Sequence, residues 1–357
     1  MQMRKDRAAQ NGTKGLACAV KDMGGQAVME GVMMRSGQAT AVTVRRPDGT
    51  MVTKRKAFIA PKDKHPWMGK PFIRGVVNMA TMLYFGMNTL QDSTQMLGIL
   101  DEEPTKFEKW LAKKLGKGVD KIVMAVAVVL AVLLSIGLFM ALPAGVESLL
   151  KSAGMKPLGY TLIGGLVKIL LLVGYMVAVA FVPDVRRTFQ YHGAEHKSVH
   201  CFESAEELTP QNAQAFSRLH PRCGTAFLLI VFSISILLFL VLNTLVPIDH
   251  YFLRVLFHLA MLPVVAGVSY EVLMGLAHSD SKLAHILRWP GLQMQRLTTR
   301  EPDESMLECA IVSVNVVLYG LPKHAEKTKE GWAILRDYRE SERDYVPPAA
   351  EAEASAS

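Results

Sequence analysis

The chain has 357 residues, half of them hydrophobic and a fifth charged, a formal net charge of +8 at pH 7 and a mean hydropathy of +0.21; this balance places a membrane protein ahead of a soluble domain. The positive charge lies mostly ahead of the first long apolar run and forms no basic-aromatic stripe, which excludes a nucleic-acid footprint. Cys18, Cys201, Cys223 and Cys309 form no C-x-x-C pair, which argues against a disulfide framework and an all-cysteine zinc knuckle and fits a reducing cytoplasm.

Residues 1–22 are polar and lead into no short apolar core with a cleavage site, so no cleavable signal peptide is expected there. That stretch and the tail 346–357 are too poor in apolar residues to offset ordering entropy and are expected to be disordered. Residues 23–121 read as a cytoplasmic or interfacial region. Within it, residues 39–58 alternate β-branched with polar side chains around Pro47-Asp48-Gly49, which predicts a β-hairpin. Residues 72–100 mix Met, Leu and Val with Asn, Gln, Asp and Ser at helical spacing, which predicts an amphipathic helix lying on a surface.

Four runs then reach the roughly 20 residues needed to cross about 30 Å of hydrocarbon. They are residues 122–142, 158–182 (interrupted by Lys168), 225–246, and 252–274, the last carrying Arg254, His258, Pro263 and Glu271. Lysine and arginine number 21 before Ile122, two in 143–157, five in 183–224, none in 247–251 and ten after Met274. The bias puts the N-terminal region, the 183–224 loop and the C-terminal region 275–345 on the cytoplasmic side. The predicted fold is an all-α polytopic bundle of about four transmembrane helices over 122–274, with a small N-terminal β-hairpin and an interfacial helix. Lys168 is expected either to face the bundle and pair with a carboxylate or to snorkel, and Arg254 to snorkel.

The densest cluster of ligand-type side chains is YHGAEHKSVHCFE, residues 191–203. On a helix, His192 and His196 stand one turn apart on one face, where two imidazoles can share a metal, with Glu195 beside them to polarise a water. H-x-x-E-H is the spacing of the inverted zinc-protease motif. As a bare pattern it is balanced by a hydrogen-bonded loop, and Gly193 weakens the helix it requires. The loop closes on His220-Pro221-Arg222-Cys223-Gly224-Thr225, which makes His220 and Cys223 further candidate ligands; the plainer reading is a transmembrane helix start with Arg222 at the headgroups. Glu271, near the cytoplasmic end of the fourth run, needs a cation or a proton in low dielectric, and a metal would supply the cation.

Five strings in order, GGQAVMEGVMMR (24–35), HGAEHK (192–197), HPRCGT (220–225), SYE (269–271) and PGLQMQRLTTREP (290–302), resemble the YqhQ-like family of bacterial membrane proteins over residues 23–320. The resemblance implies a bacterial membrane protein and a predicted metal-dependent enzyme; with the apolar runs and the charge bias, the expectation is a multi-pass protein of the bacterial cytoplasmic (inner) membrane with both termini cytoplasmic. In the first string Glu30 and Arg35 bracket an apolar turn that can close over the site. In the last, Arg296 and Arg300 are basic forks that can hold a carboxylate, phosphate or lipid headgroup. Both strings serve equally well as structural junctions.

These readings converge on an integral membrane metal-dependent hydrolase acting on a peptide or lipid-linked substrate. His192, His196 and Glu271 would bind a divalent metal such as Zn²⁺, with His220 and Cys223 as alternative ligands. Glu195 would activate water, while Arg222, Arg296 and Arg300 orient the substrate with Glu30 and Arg35. The rival is a non-enzymatic membrane scaffold whose strings bind a partner protein or a second copy; a transporter using Lys168 and Glu271 is less favoured, as no internal repeat is evident.

Overall fold

A computed structural model describes residues 23–98, 119–221, 223–245, 248, 250–277, 279 and 281–343. The two termini expected to be disordered, and Arg222, lie outside these residues.

Four strands, β1 (Met23–Val28), β2 (Gly31–Ser36), β3 (Ala39–Arg45) and β4 (Met51–Ala57), form an antiparallel meander. Near the far end of the chain, β5 (Glu326–Lys327) and β6 (Ala333–Leu335) extend it, β6 pairing with β4, to give the order β1-β2-β3-β4-β6-β5. The hairpin read from sequence is β3–β4, with Arg45 opposite Met51. Asp48 closes its loop by accepting from the Thr50 N–H at 2.9 Å and its hydroxyl at 2.7 Å, and Gly49 takes φ +86°, a conformation glycine adopts without steric cost.

The hairpin is part of a larger sheet because both sheet faces are covered. Val42, Val44 and Val52 face one side with Val28 and Met33, packed against Met96 of α1 (Ile73–Leu97). Ala41 and Met51 face the other, packed against α5 (Pro183–Glu203) and α10 (Glu304–Tyr319). A strand buried on both sides loses the alternation of apolar and polar residues, and β1–β2 reads that way. Helix α10 is capped by Asp303, which accepts from the Met306 N–H at 2.9 Å. It is apolar nearly all round and buried along most of its length, as a core helix requires. Its Ser313 hydroxyl lies 3.0 Å from the carbonyls of Val32 and Ala41, tying the helix to β2 and β3.

The apolar part comprises α2 (Val119–Ile136), continued through a π-helical turn at Gly137–Ala141 into α3 (Leu142–Ser152), then α4 (Pro157–Val179), α6 (Gly224–Leu245), α7 (Tyr251–Ala260) and α8 (Leu262–Ala277). Among the described residues two helical stretches, Ala125–Ser152 and Pro157–Val179, are long and apolar enough to cross a membrane. The pair Tyr251–Ala260 and Leu262–Leu276, bent by 45°, makes a third if it counts as one, and Leu228–Asn243 is a shorter apolar helix. Pro263 sits in the first turn of α8, where it cannot donate back into α7, which accounts for the break.

Lys168 is buried between helices, its Nζ 5.2 Å from the centre of the Phe239 ring and within Coulombic reach of Glu147. The reading in which it faces the bundle is the one found. Arg254, expected to snorkel, is buried: it donates to the Ile248 carbonyl at 2.8 Å and lies over the Tyr160 ring. That carbonyl and the aromatic face hold part of the guanidinium inside the bundle, while its Nη1 is buried without a hydrogen-bond partner.

Two amphipathic helices flank this assembly. Helix α1, expected over 72–100, exposes Met82, Leu83, Tyr84, Met87 and Leu90, while its Gly75 packs against Tyr270 and Gly267 of α8. Helix α9 (Lys282–Thr298) exposes Leu283, Ile286, Leu287 and Trp289, and its last turn leads into the candidate site.

Candidate metal centre

Helix α5 opens with Pro183 at its first position, where a missing N–H costs nothing. It then runs unbroken through Gly193. The glycine is a matter of space: a Cβ there would fall onto the Arg300 carbonyl oxygen, because residues 300–302 cross the helix at that point. The Arg300 N–H donates to the Phe189 carbonyl at 2.8 Å and fixes the crossing. His192, His196 and His200 follow one another at four-residue spacing and form a stripe along one face.

Backbone carbonyls orient the first two imidazoles. His192 Nδ1 is 2.8 Å from the Thr298 carbonyl, and His196 Nδ1 is 2.5 Å from that of Arg218. A carbonyl only accepts, so each Nδ1 carries the proton and each Nε2 keeps a bare lone pair, the ligand form of histidine. Cys223 Sγ lies 3.3 Å from His192 Nε2, and the ligand atoms of His192, His196 and Cys223 are all within 4.8 Å of one another. His196 Nε2 is buried with no hydrogen-bond partner. An orphaned imidazole nitrogen facing a thiol and a second imidazole is a donor set that suits Zn²⁺ or a similar ion.

Glu195 completes the group. Its Oε2 is 3.8 Å from His192 Nε2 and 3.7 Å from His196 Nε2. Burial raises the Glu195 pKa, opposed by His192, His220 and a hydrogen bond from the Gly25 N–H. Burial lowers those of His196 and His220, which favours the neutral imidazoles, opposed by Cys223 at His196 and by Glu195 at His220. Gly25 is placed for this contact: a Cβ on it would meet the Met33 carbonyl oxygen, Met34 Sδ at 2.9 Å and Glu195 Cγ at 3.0 Å. Beside the first group, His200, Glu203 and His220 bring three more ligand atoms within 4.8 Å of one another.

The loop facing α5 is held by residues with no role assigned from sequence. Gln295, fully buried on α9, accepts from the His220 N–H and donates to the His220 carbonyl, both at 2.8 Å. Arg218 donates through Nη1 to the Thr299 carbonyl and pairs with Glu301 at 3.4 Å, and Lys197 pairs with the same carboxylate at 3.1 Å. The one signal for Gln295 in the sequence is an amide on the apolar face of an amphipathic helix, a position that demands buried partners.

The remaining candidates fall elsewhere. Glu271 is not brought to the histidines: Arg74 takes both of its carboxylate oxygens, at 2.8 and 2.5 Å, and the Phe72 N–H adds a third bond at 3.0 Å. The cation it needs is a guanidinium of α1. Glu30 forms a two-pronged pair with Arg187 of α5, both bonds at 2.5 Å, which docks the β1–β2 turn on that helix. Arg35 lies over the Phe58 ring at 4.9 Å. Arg296 is exposed on α9, whereas the Arg300 Nε is buried next to the crossing at Gly193 with no hydrogen-bond partner.

Comparison with known proteins places these residues within a shared sequence. The family model described as a protein of unknown function, DUF1385, matches residues 70–319, which include His192, Glu195, His196, His220, Cys223 and Gln295. The uncharacterized protein YqhQ of Bacillus subtilis (strain 168) is similar, with 35% identity over 301 residues, 83% of this chain and 92% of the relative. No solved structure matches.

Proposed function

The chain belongs to the DUF1385 family, whose description assigns no chemistry, and from the site itself we propose an integral membrane metal-dependent hydrolase. The observation that carries this reading is the convergence of His192, His196 and Cys223 on one point with Glu195 beside it. His192 and His196, whose Nδ1 atoms are tied to carbonyls, would hold a divalent cation together with the Cys223 sulfur. When bound, the cation supplies a Lewis acid that lowers the pKa of water and polarises the scissile group.

Glu195 is the general base. It takes a proton on Oε2 as the water oxygen adds to the electrophilic centre, and returns it to the leaving group as the scissile bond breaks. Arg300, half-buried beside the crossing, serves an anionic substrate better than the exposed Arg296. The exposed apolar faces of α1 and α9 lie at the headgroup level and bring the site to the membrane surface, so a peptide or lipid-linked substrate enters from the bilayer. The chain crosses the inner membrane four times, with α6 and the bent α7–α8 pair as the third and fourth crossings and both termini in the cytoplasm.

Elemental analysis of purified wild-type protein against His192→Ala and His196→Ala tests this reading. Metal bound by the wild type and depleted in both variants is expected; protein free of metal in all three would return the motifs to a partner-binding scaffold.

A further inference from the structure

We propose that the site takes a second divalent cation, held by His200, Glu203 and His220 beside the first; this rests on the metal reading above. The stripe on α5 does not stop at His196. It continues through His200 and Glu203, so four ligand-type residues at helical spacing occupy three turns of one face. Opposite them His220 and Cys223 offer two more ligands three residues apart. Cys223 stands against His192 and His196, and His220 against His200 and Glu203.

The two trios abut. The His220 ring centre is 4.5 Å from that of His200 and 5.6 Å from that of His196, and His220 Nε2 is 3.5 Å from Glu203 Oε2. The two imidazoles of the second trio are held by backbone contacts. Gln295 clamps the His220 backbone through both its N–H and its carbonyl. His200 Nε2 donates to the Leu219 carbonyl at 3.0 Å, so that nitrogen carries the proton and Nδ1 keeps the lone pair. A buried imidazole, a second imidazole with a set tautomer and a carboxylate in one place exceed what packing a loop onto a helix requires.

The donor sets differ in character. Two nitrogens and a thiolate select a soft or borderline ion, whereas two nitrogens and a carboxylate also accept harder ions such as Mn²⁺. The Glu203 side chain keeps 31% of its exposure and that of Cys223 lies in a buried residue, so the second cation exchanges with solvent more readily than the first.

Titrating the purified full-length protein in detergent micelles with Co²⁺ tests this, with bound metal counted after equilibrium dialysis and thiolate-to-cobalt absorption followed in the near ultraviolet. Two Co²⁺ per chain are expected, one accompanied by the thiolate band. His200→Ala and Glu203→Gln reduce the count to one with the band unchanged; the second is nearly isosteric at a partly exposed position and leaves the fold intact. Cys223→Ser removes the band. Saturation of the wild type at one Co²⁺ with the band present overturns the second cation and leaves the first reading standing. No bound Co²⁺ overturns both.

Discussion

Two glycines decide whether the site can assemble. Alanine at Gly193 would push residues 300–302 off α5, and alanine at Gly25 would push β1 off Glu195. Overpacking of this kind costs about 1–3 kcal/mol. Each variant is expected to lower the thermal midpoint and to bind metal more weakly than wild type, read by differential scanning fluorimetry and elemental analysis; wild-type values in both would show that the close approaches are dispensable. The H-x-x-E-H spacing was legible in the sequence because helix geometry alone brings His192, Glu195 and His196 together. Gly193 was not, since a glycine within a helix reads locally as a propensity cost of roughly 1 kcal/mol, and the carbonyl it accommodates belongs to Arg300, far along the chain. Glu271 was misplaced for a related reason. Nothing local in the sequence indicates that Arg74 on α1 takes both of its carboxylate oxygens. Glu271→Gln is therefore expected to leave bound metal unchanged, and loss of metal in that variant would return Glu271 to the ligand set.

The buried thiols make a pH-dependent prediction at the same scale. Burial pushes Cys201 and Cys309 up to about 12 from an ordinary 9.0. A folded-state pKa above the unfolded one means that the stability tied to each thiol is full below pH 9 and is lost as pH rises from there toward 12. Denaturant midpoints should fall between pH 8 and 10.5, and by less in Cys309→Ala, corrected for its own offset at pH 8. An equal fall in both proteins would assign the loss to other groups.

Among the elements, α9 carries more of the site than its sequence suggested. It supplies Gln295 and, at its end, the Thr298 carbonyl that sets the His192 tautomer. Gln295→Ala removes the acceptor of the buried His220 N–H, at roughly 1–3 kcal/mol, and one of the two donors to the His220 carbonyl, which also accepts from the Cys223 N–H at 3.3 Å. The variant should unfold at clearly lower denaturant and lose metal affinity, while an unchanged midpoint would mean that water replaces the amide. The Glu30–Arg187 pair is partly exposed, with side-chain accessibilities of 29% and 49%, and Arg187→Ala is expected to cost at most about 1 kcal/mol. The β3–β4 hairpin was legible from its turn residues and alternation. The β1–β2 pair and the short β5 and β6 were not, because strands covered on both faces carry no period-two signal, and β5 and β6 take their pairing from β4 rather than from a local turn.

At the scale of the whole molecule, the two ends of the described chain close one sheet, and α5 leaves the apolar helices to pack against it. Burial and composition therefore separate an apolar bundle from a polar body, and the candidate metal centre lies where α5 and α9 meet His220 and Cys223. Cys201 cannot report topology, because it is buried and its thiol is held protonated on either side of a membrane. Introduced cysteines at exposed positions can. In a Cys18→Ser background, Ser152→Cys should react with an impermeant maleimide in intact cells and Lys329→Cys only after lysis; the reverse pattern would invert the orientation.

The donors around the first cation can be read directly by X-ray absorption at the metal edge, on purified protein loaded with one equivalent of Zn²⁺. A shell of one sulfur at about 2.3 Å and two imidazole nitrogens at about 2.0 Å, with the sulfur lost in Cys223→Ser, is the expected result. An all-oxygen shell, or a wild-type spectrum that Cys223→Ser leaves unchanged, would contradict it.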